Sequence, residues 1–594
     1  MSQLKSDTSS GFKHPDKTGP DGLATPSARK EKLIVYQAFP RIFTNTNDTC
    51  RPWGTLKENG AGHLSDITPR LLESLKEMGV NCLWLTGVIE HATKTDFSKY
   101  GIPADNPNVV KGEAGSAYAI KDYYDVAPAI VSDVAARMKE FTDMVERVHA
   151  EGMKLIIDFV PNHTARVYHS DSAPKGTVDF GKEDDNTKFF SPSNNYYYIP
   201  SQRFMPDFDL GAEGEHPYVE FPAKVTGNDC FTAFCHKTDW YETVKLNYGH
   251  DYGDNTDHFD PVPDTWRKML DILKFWVSKG VDGFRCDMVF MVPLPFWYWA
   301  IPQVKETRPD IIFIGEIYDV SQYRPFLDYG CFDYLYDKVN LYDTLVAIER
   351  YNWSAARLTG CWQTVDGIGH KMLNFLENHD EVRFASSEFA HNPAKVVPYL
   401  VVSSMISTGP FMIYYGQELG ERGEENEGYA GHNCRSTIFD YWSYDSIRRW
   451  YAEGKCDGSM LTAHEKWLRE TYGRTLRLCN DLSAVREGKF FDLMYANLQN
   501  PHFDPHRLFC WLRYDDEQAL LFLVNFSGEH HNAEIWIPSL AFDMASLPDT
   551  DIHTNDLLWN RPYYITLSPH APLRLGIGGY DAVIIRLRQA VVTT

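Results

Sequence analysis

Four apolar runs in the sequence end on residues that can transfer protons or hold charge: DFVPNH at 158–163, GFRCDMV at 283–289, FIGEIY at 313–318 and FLENHD at 375–380. If each run is a strand and the strands lie side by side, His163, Arg285, Asp287, Glu316, His379 and Asp380 converge at one end of a sheet, a set suited to acid–base work. Arg285 and Asp287 are two residues apart on one strand and share a face, so the fixed guanidinium charge is expected to keep Asp287 ionised at neutral pH. Taken singly, each polar end could cap a helix or close a salt bridge. Four of them, each ending a different apolar run, point to a site.

The elements that would position these groups follow from the alternation around them. Short apolar runs at 33–36, 82–85, 155–158, 281–285, 311–314, 372–375 and 411–414 read as strands buried on both faces, as in a parallel sheet. A weaker sixth run in order lies at 332–335. Amphipathic stretches at 67–78, 138–151 and 266–278, each stopped by a glycine, read as helices between strands. Eight strands in βαβ alternation predict a (β/α)8 TIM barrel, which carries its site at the carboxyl ends of the strands. Between 163 and 260 the periodicity is lost in polar, Asn-rich and aromatic sequence, which predicts an irregular inserted domain after strand three. After a helix at 467–482, period-two runs at 508–512, 519–524, 533–537 and 581–586 predict a C-terminal antiparallel β-sandwich domain. The expected division is a disordered tail at 1–31, a barrel at 32–163 and 261–485, an inserted domain at 164–260 and a β domain at 486–594.

Composition sets the outer limits. At 594 residues the chain is too long for one small domain, and 34 Phe, 34 Tyr and 15 Trp with 43% hydrophobic residues exclude global disorder. A net charge of -23, from 58 Lys and Arg against 81 Asp and Glu, repels phosphate backbones and anionic lipid, so nucleic acid and membrane are not expected partners. Eleven scattered cysteines do not form the even framework of a disulfide protein, and the first residues offer no apolar signal segment, so a cytoplasmic location is expected. The uncharged run at 396–416 is broken by Pro398, Gly409 and Pro410 and reads as a buried helix, a turn and a strand.

In order and position, the four segments resemble the signature regions of the α-amylase family of glycoside hydrolases. Further matches are GVNCLWL at 79–85, VKLN at 244–247 and Gly409-Pro410 with Gly416-Gln-Glu418. The resemblance implies that Asp287 is the nucleophile, Glu316 the general acid and base, and Asp380 the carboxylate that holds the sugar in its distorted geometry. It implies that His163 and His379 bind the sugar's hydroxyls, that Tyr118 stacks on the ring, and that Asp158 and Arg383 brace the site. Glu316 then has to begin protonated, which neighbouring carboxylates favour.

The expected activity is hydrolysis of α-glucosidic bonds, most readily α-1,4, in maltooligosaccharides or starch-derived dextrins with retention of configuration. Transglycosylation by the same residues is the alternative within the family. A non-catalytic carbohydrate-binding relative would show loss of Asp287 or Glu316, and both are present. No cofactor is required by this chemistry. The resemblance implies a possible calcium site at the asparagine before the strand-three histidine, here Asn162, but the Lys-His pair that many members carry after the nucleophile is Phe290-Met291, which leaves calcium a possible but doubtful ligand and the metal residues unassigned. Trp240 and Tyr241 are candidates to extend the groove.

Overall fold

Eight short strands close into one parallel barrel: Ile34–Ala38, Cys82–Leu85, Lys154–Phe159, Gly283–Cys286, Ile312–Gly315, Tyr334–Tyr336, Met372–Phe375 and Phe411–Tyr414. They neighbour one another in sequence order, and the first pairs with the eighth to complete the ring. The computed structural model describes residues 31–212, 214 and 216–590, so the expected tail lies, Glu31 apart, outside the described residues. Almost every strand residue is buried, because side chains pack both inside the barrel and under the surrounding helices.

The helix Pro69–Met78 illustrates how local signals set these elements. Thr68 accepts from the backbone N–H of Leu71, Pro69 begins the first turn, and Gly79 ends the helix at φ 107°. A β-carbon on Gly79 would also stand 3.0 Å from the backbone nitrogen of Arg477, in the helix Ala463–Asp481 packed alongside. The run at 396–416 forms the buried helix Val396–Met405 followed by strand eight. No helix among the described residues is long and apolar enough to cross a membrane.

Strand six differs from its expected place. It occupies Tyr334–Tyr336 rather than 332–335, because Asp333 is spent clamping the edge of strand five, accepting from Phe313 N at 2.9 Å and donating its own N–H to Phe313 O. The strand therefore ends on Asp337 and Lys338, and a π-helical turn over Lys338–Tyr342 follows it.

Between strand three and the helix Asp264–Ser278 the chain forms three two-residue or three-residue strand pairs around a small core that includes Val109, Tyr197, Phe204, Val225 and Tyr241. The first pair, His163–Ala165 with Thr243–Lys245, ties the start of this excursion to its end. The carboxyl-terminal region carries an antiparallel sheet of four strands, Lys489–Asp492, Leu508–Tyr514, Gln518–Asn525 and Ala582–Gln589, with two further strand pairs beside it. The helix Val396–Met405 packs against its strand Gln518–Asn525, joining the sheet to the barrel.

Candidate active site

The barrel register fixes the heights of the charged groups. Cys286 of strand four pairs with Gly315 of strand five, so Asp287 and Glu316 are the next residues beyond matching strand ends. Arg285, one residue lower and wholly buried, points its guanidinium into the barrel mouth. Its Nη1 donates to Asp287 Oδ1 at 2.8 Å and approaches Asp158 Oδ1 at 3.4 Å, while Nη2 lies 2.7 Å from Glu316 Oε1. The Arg285 Nε donates to the Tyr336 hydroxyl at 3.2 Å. One cation thus serves three buried carboxylates.

That shortfall of positive charge sets the protonation. Burial, then the negative charge of Glu316, push the Asp287 carboxyl well above the usual carboxylate range, against the lowering pull of Arg285. Glu316 instead receives a backbone N–H from Met288 at 2.8 Å, the Tyr318 hydroxyl and the Arg285 contact. Arg285 acts on Asp287 in the expected direction, towards the ionised form, but burial and the second carboxylate outweigh it. Asp287 therefore holds its proton to a higher pH than an ordinary carboxylate does.

Around this pair the structure gathers the other residues singled out in the sequence. His379 stacks on Tyr118, with centroids 5.1 Å apart and planes 17° apart, and its Nε2 lies 2.5 Å from the Tyr118 hydroxyl and 3.1 Å from Asp380 Oδ2. The Gln37 amide donates to His379 Nδ1 at 2.9 Å, which leaves the ring proton on Nε2, facing Tyr118 and Asp380. Burial pushes the pKa of both His379 and His163 down to about 3, so each imidazole is neutral, and His379 keeps its Nε2 proton to donate. Asp380 is the open member of the set, with 44% of its side chain exposed. Asp158 accepts from the Trp84 indole at 3.0 Å and sits behind Arg285.

Asp287, Glu316, Asp380, Tyr118 and His163 line one cavity of about 350 Å³. Trp240 lines it too, tilted against His163 at 5.3 Å, whereas Tyr241 turns into the small core of the excursion. Arg383 stays out of the cavity, bound to Glu377 at 2.9 Å and to the Tyr415 carbonyl at 2.8 Å. Four lining residues carried no sequence signal that was used: Lys111, paired with Glu242 at 2.8 Å, and Lys338, paired with Glu381 at 3.4 Å. Lys338 ends strand six, so the strand-end rule would have reached it had that strand been placed two residues later.

The calcium site implied by the resemblance has a different occupant. Asn162 Oδ1 accepts from the buried Lys245 ammonium at 2.9 Å, and the same ammonium lies 2.5 Å from Asp229 Oδ1. A divalent cation on that oxygen would meet a fixed positive charge, so these residues do not fit calcium there. In the acidic stretches Glu183-Asp184-Asp185 and Glu418 to Glu427, Asp184 accepts from Asn195 N and Tyr196 N, and Glu418 pairs with Arg469.

A family model described as "Alpha amylase, catalytic domain" matches residues 37–475, most of the chain and every residue of this site. The chain belongs to the α-amylase family of glycoside hydrolases. Among curated members, an α-glucosidase of Apis mellifera is 22% identical over 86% of this chain and 87% of its own length. A cyclomaltodextrinase of a Bacillus species is 24% identical over 86% and 76%. Of solved structures, a maltogenic α-amylase of Thermotoga neapolitana superposes with a TM-score of 0.61 at 19% identity, covering 94% of this chain and 99% of that one. An α-amylase of Geobacillus thermoleovorans, solved with acarbose, gives 0.60 at 19% identity, covering 95% and 100%. These likenesses show a shared fold across α-amylase family members of differing activity.

Proposed function

We propose that this α-amylase family enzyme hydrolyses α-glucosidic bonds, most readily α-1,4 bonds of maltooligosaccharides or starch-derived dextrins, with retention of configuration. The observation that carries the reading is the single guanidinium of Arg285 in contact with both Asp287 and Glu316. Two carboxylates at matching strand ends that share one planar cation can act on a single glycosidic bond, one as nucleophile and one as acid.

In the first step an Asp287 oxygen bonds to the anomeric carbon as the glycosidic C–O bond breaks, and Glu316 gives its proton to the departing oxygen. In the second, water attacks that carbon, its proton passes to Glu316, and the bond to Asp287 breaks. The reactive state is the one with Asp287 ionised and the proton on Glu316. Asp380 and His379, joined at 3.1 Å, hold the ring hydroxyls, and Tyr118 supplies the stacking face. No metal enters either step. All eleven cysteines are free thiols, which supports a reducing, cytoplasmic setting.

Digestion of maltoheptaose, followed by chromatography and proton NMR, tests the proposal. The expected early products are shorter oligosaccharides with a new α-configured reducing end. Early products longer than the substrate would replace hydrolysis with glycosyl transfer, and a β-configured end would overturn retention.

A further inference from the structure

A chain of buried hydrogen bonds runs beneath the barrel mouth, from Asp158 to His379. Gln37, in strand one, and Thr86, one residue past the end of strand two, are both wholly buried. The two strands pair with Ala38 beside Leu85, and Thr86 N donates to the Ala38 carbonyl at 2.9 Å, which brings the two side chains together. Gln37 Nε2 donates to Thr86 Oγ1 at 3.0 Å and to His379 Nδ1 at 2.9 Å. The Thr86 hydroxyl in turn donates to the Asp158 carboxylate, which also takes the Trp84 indole N–H and faces Arg285.

The direction of this chain is fixed from its Asp158 end. Burial raises the Asp158 carboxyl only to about 6, so at neutral pH it is a carboxylate with no hydrogen to give. Thr86 has one hydroxyl hydrogen and spends it on Asp158, so its oxygen can only accept from Gln37. The amide nitrogen of Gln37, and not its carbonyl, therefore faces both neighbours. Gln37 Oε1 is left buried without a hydrogen-bond partner, a cost this orientation carries. Turned around, the amide would set its carbonyl against the Thr86 oxygen and leave both N–H groups without acceptors.

The other end of the His379 ring makes the same demand. An Nδ1 that accepts carries no hydrogen, so the neutral ring holds its hydrogen on Nε2. Nε2 lies 3.1 Å from Asp380 Oδ2 and 2.5 Å from the Tyr118 hydroxyl. A bare Nε2 would set its lone pair against the Asp380 carboxylate, whereas a protonated one donates to it.

We propose that Gln37 and Thr86 are positioning residues: tied to Asp158, they lock His379 in the tautomer that carries its hydrogen on Nε2, so that it meets Asp380 and a substrate hydroxyl as a donor. Neither residue lines the active-site cavity, so both act through His379. The consequence for turnover rests on the hydrolytic reading given above; the tautomer itself does not.

Gln37→Glu keeps the side chain's shape and replaces the donor by an acceptor, which draws the ring hydrogen to Nδ1 and strips it from Nε2. In NMR spectra of the full chain with isotope-labelled histidine, the His379 ring signals are assigned by their loss in His379→Asn. They should show Nε2–H in the parent and Nδ1–H in Gln37→Glu at about pH 8, well above the titration of the neighbouring Asp158. At that pH kcat/KM on maltoheptaose should fall about 10²-fold. The deficit relative to the parent should shrink below about tenfold at about pH 5, because a proton added to the imidazole or to the new carboxyl returns a hydrogen to Nε2. Thr86→Val should cost about tenfold, and Thr86→Ser, which keeps the hydroxyl, should recover most of that loss. Thermal unfolding checks that each variant is folded, and two separate positions guard against one that is not. Nδ1–H in the parent, or a Gln37→Glu deficit that is absent or equal at every pH, overturns the proposal. A parent that leaves maltoheptaose uncut refutes the hydrolytic reading, and the ring signals of the parent and of Gln37→Glu then decide the lock by themselves.

Discussion

Two arginines in the upper barrel, Arg285 and Arg383, are both wholly buried, and their surroundings differ in one respect. Arg383 has a single carboxylate partner, Glu377, and spends its remaining donors on the Ser436 hydroxyl and the Tyr415 carbonyl. Arg285 is divided among Asp158, Asp287 and Glu316. The first arrangement is neutral and fully bonded, and it fixes the segment after strand seven. The second sets three carboxylates against one cation inside a poorly solvated mouth, which favours retention of a proton there and suits the acid–base role proposed for the pair. A buried arginine thus marks a brace or a reaction centre according to how many carboxylates share it.

The largest effect expected to bear on this contrast is loss of the proposed nucleophile. Asp287→Asn should lower kcat by about 10⁴-fold or more with the fold intact, measured by reducing-end release and circular dichroism. Residual activity of more than a few per cent would remove Asp287 from that role.

The second test sets the two arginines directly against each other. Arg285→Leu and Arg383→Leu should each cost about 3–5 kcal/mol in urea unfolding, because each leaves buried carboxylates without a cation. Their activities should part: kcat of the folded Arg383 variant should stay within about tenfold of the parent, while that of the Arg285 variant falls by about 10³-fold or more. Equal loss of kcat in both would erase the distinction drawn here.

A smaller effect tests the retained proton. Asp287 is pushed upward, so the site keeps a proton to higher pH than an ordinary carboxylate would, and activity should fall as rising pH removes it. The Tyr318 hydroxyl donates to Glu316 and favours the charged pair. Tyr318→Phe should therefore hold the proton more tightly and move the alkaline limb of kcat/KM to higher pH, by about one unit or less, with kcat reduced about tenfold at most. A shift to lower pH would contradict the assigned hydrogen bond. The smallest effect concerns the ammonium at Asn162: EDTA should change activity by less than about twofold, because Lys245 supplies the charge there. A large loss restored by calcium would show that a metal is needed after all.

Much of this site was legible because a barrel strand is buried on both faces, so a polar residue ending it stands out against an apolar run. That contrast located Asp158, Asp287, Glu316 and Asp380 and the strands that carry them. It failed at strand six, where Asp333 turns back to bond strand five and displaces the strand from 332–335 to Tyr334–Tyr336, hiding Lys338. The excursion after strand three was legible only as an absence of period. Its shape rests on side chains bonding backbone, such as Asp184 to Asn195 N and Asn247 to the carbonyls of Ser191 and Asn194, and such bonds leave no repeat in sequence. For the same reason Trp240 and Tyr241, adjacent and alike, could not be told apart until one faced His163 and the other the small core. Adjacency in sequence revealed the arginine beside Asp287 but not that Asp158 and Glu316 share it.

The central claim is that Asp287 forms a covalent bond to the sugar. Mass spectrometry of peptides from protein exposed to a fluorinated α-glucosyl fluoride, which slows the second step more than the first, examines that bond directly. The account predicts one fluorohexosyl adduct, on the peptide carrying Asp287 and on that residue. An adduct on Glu316 or Asp380 instead, or turnover of the reagent with no adduct at any carboxylate, would contradict it.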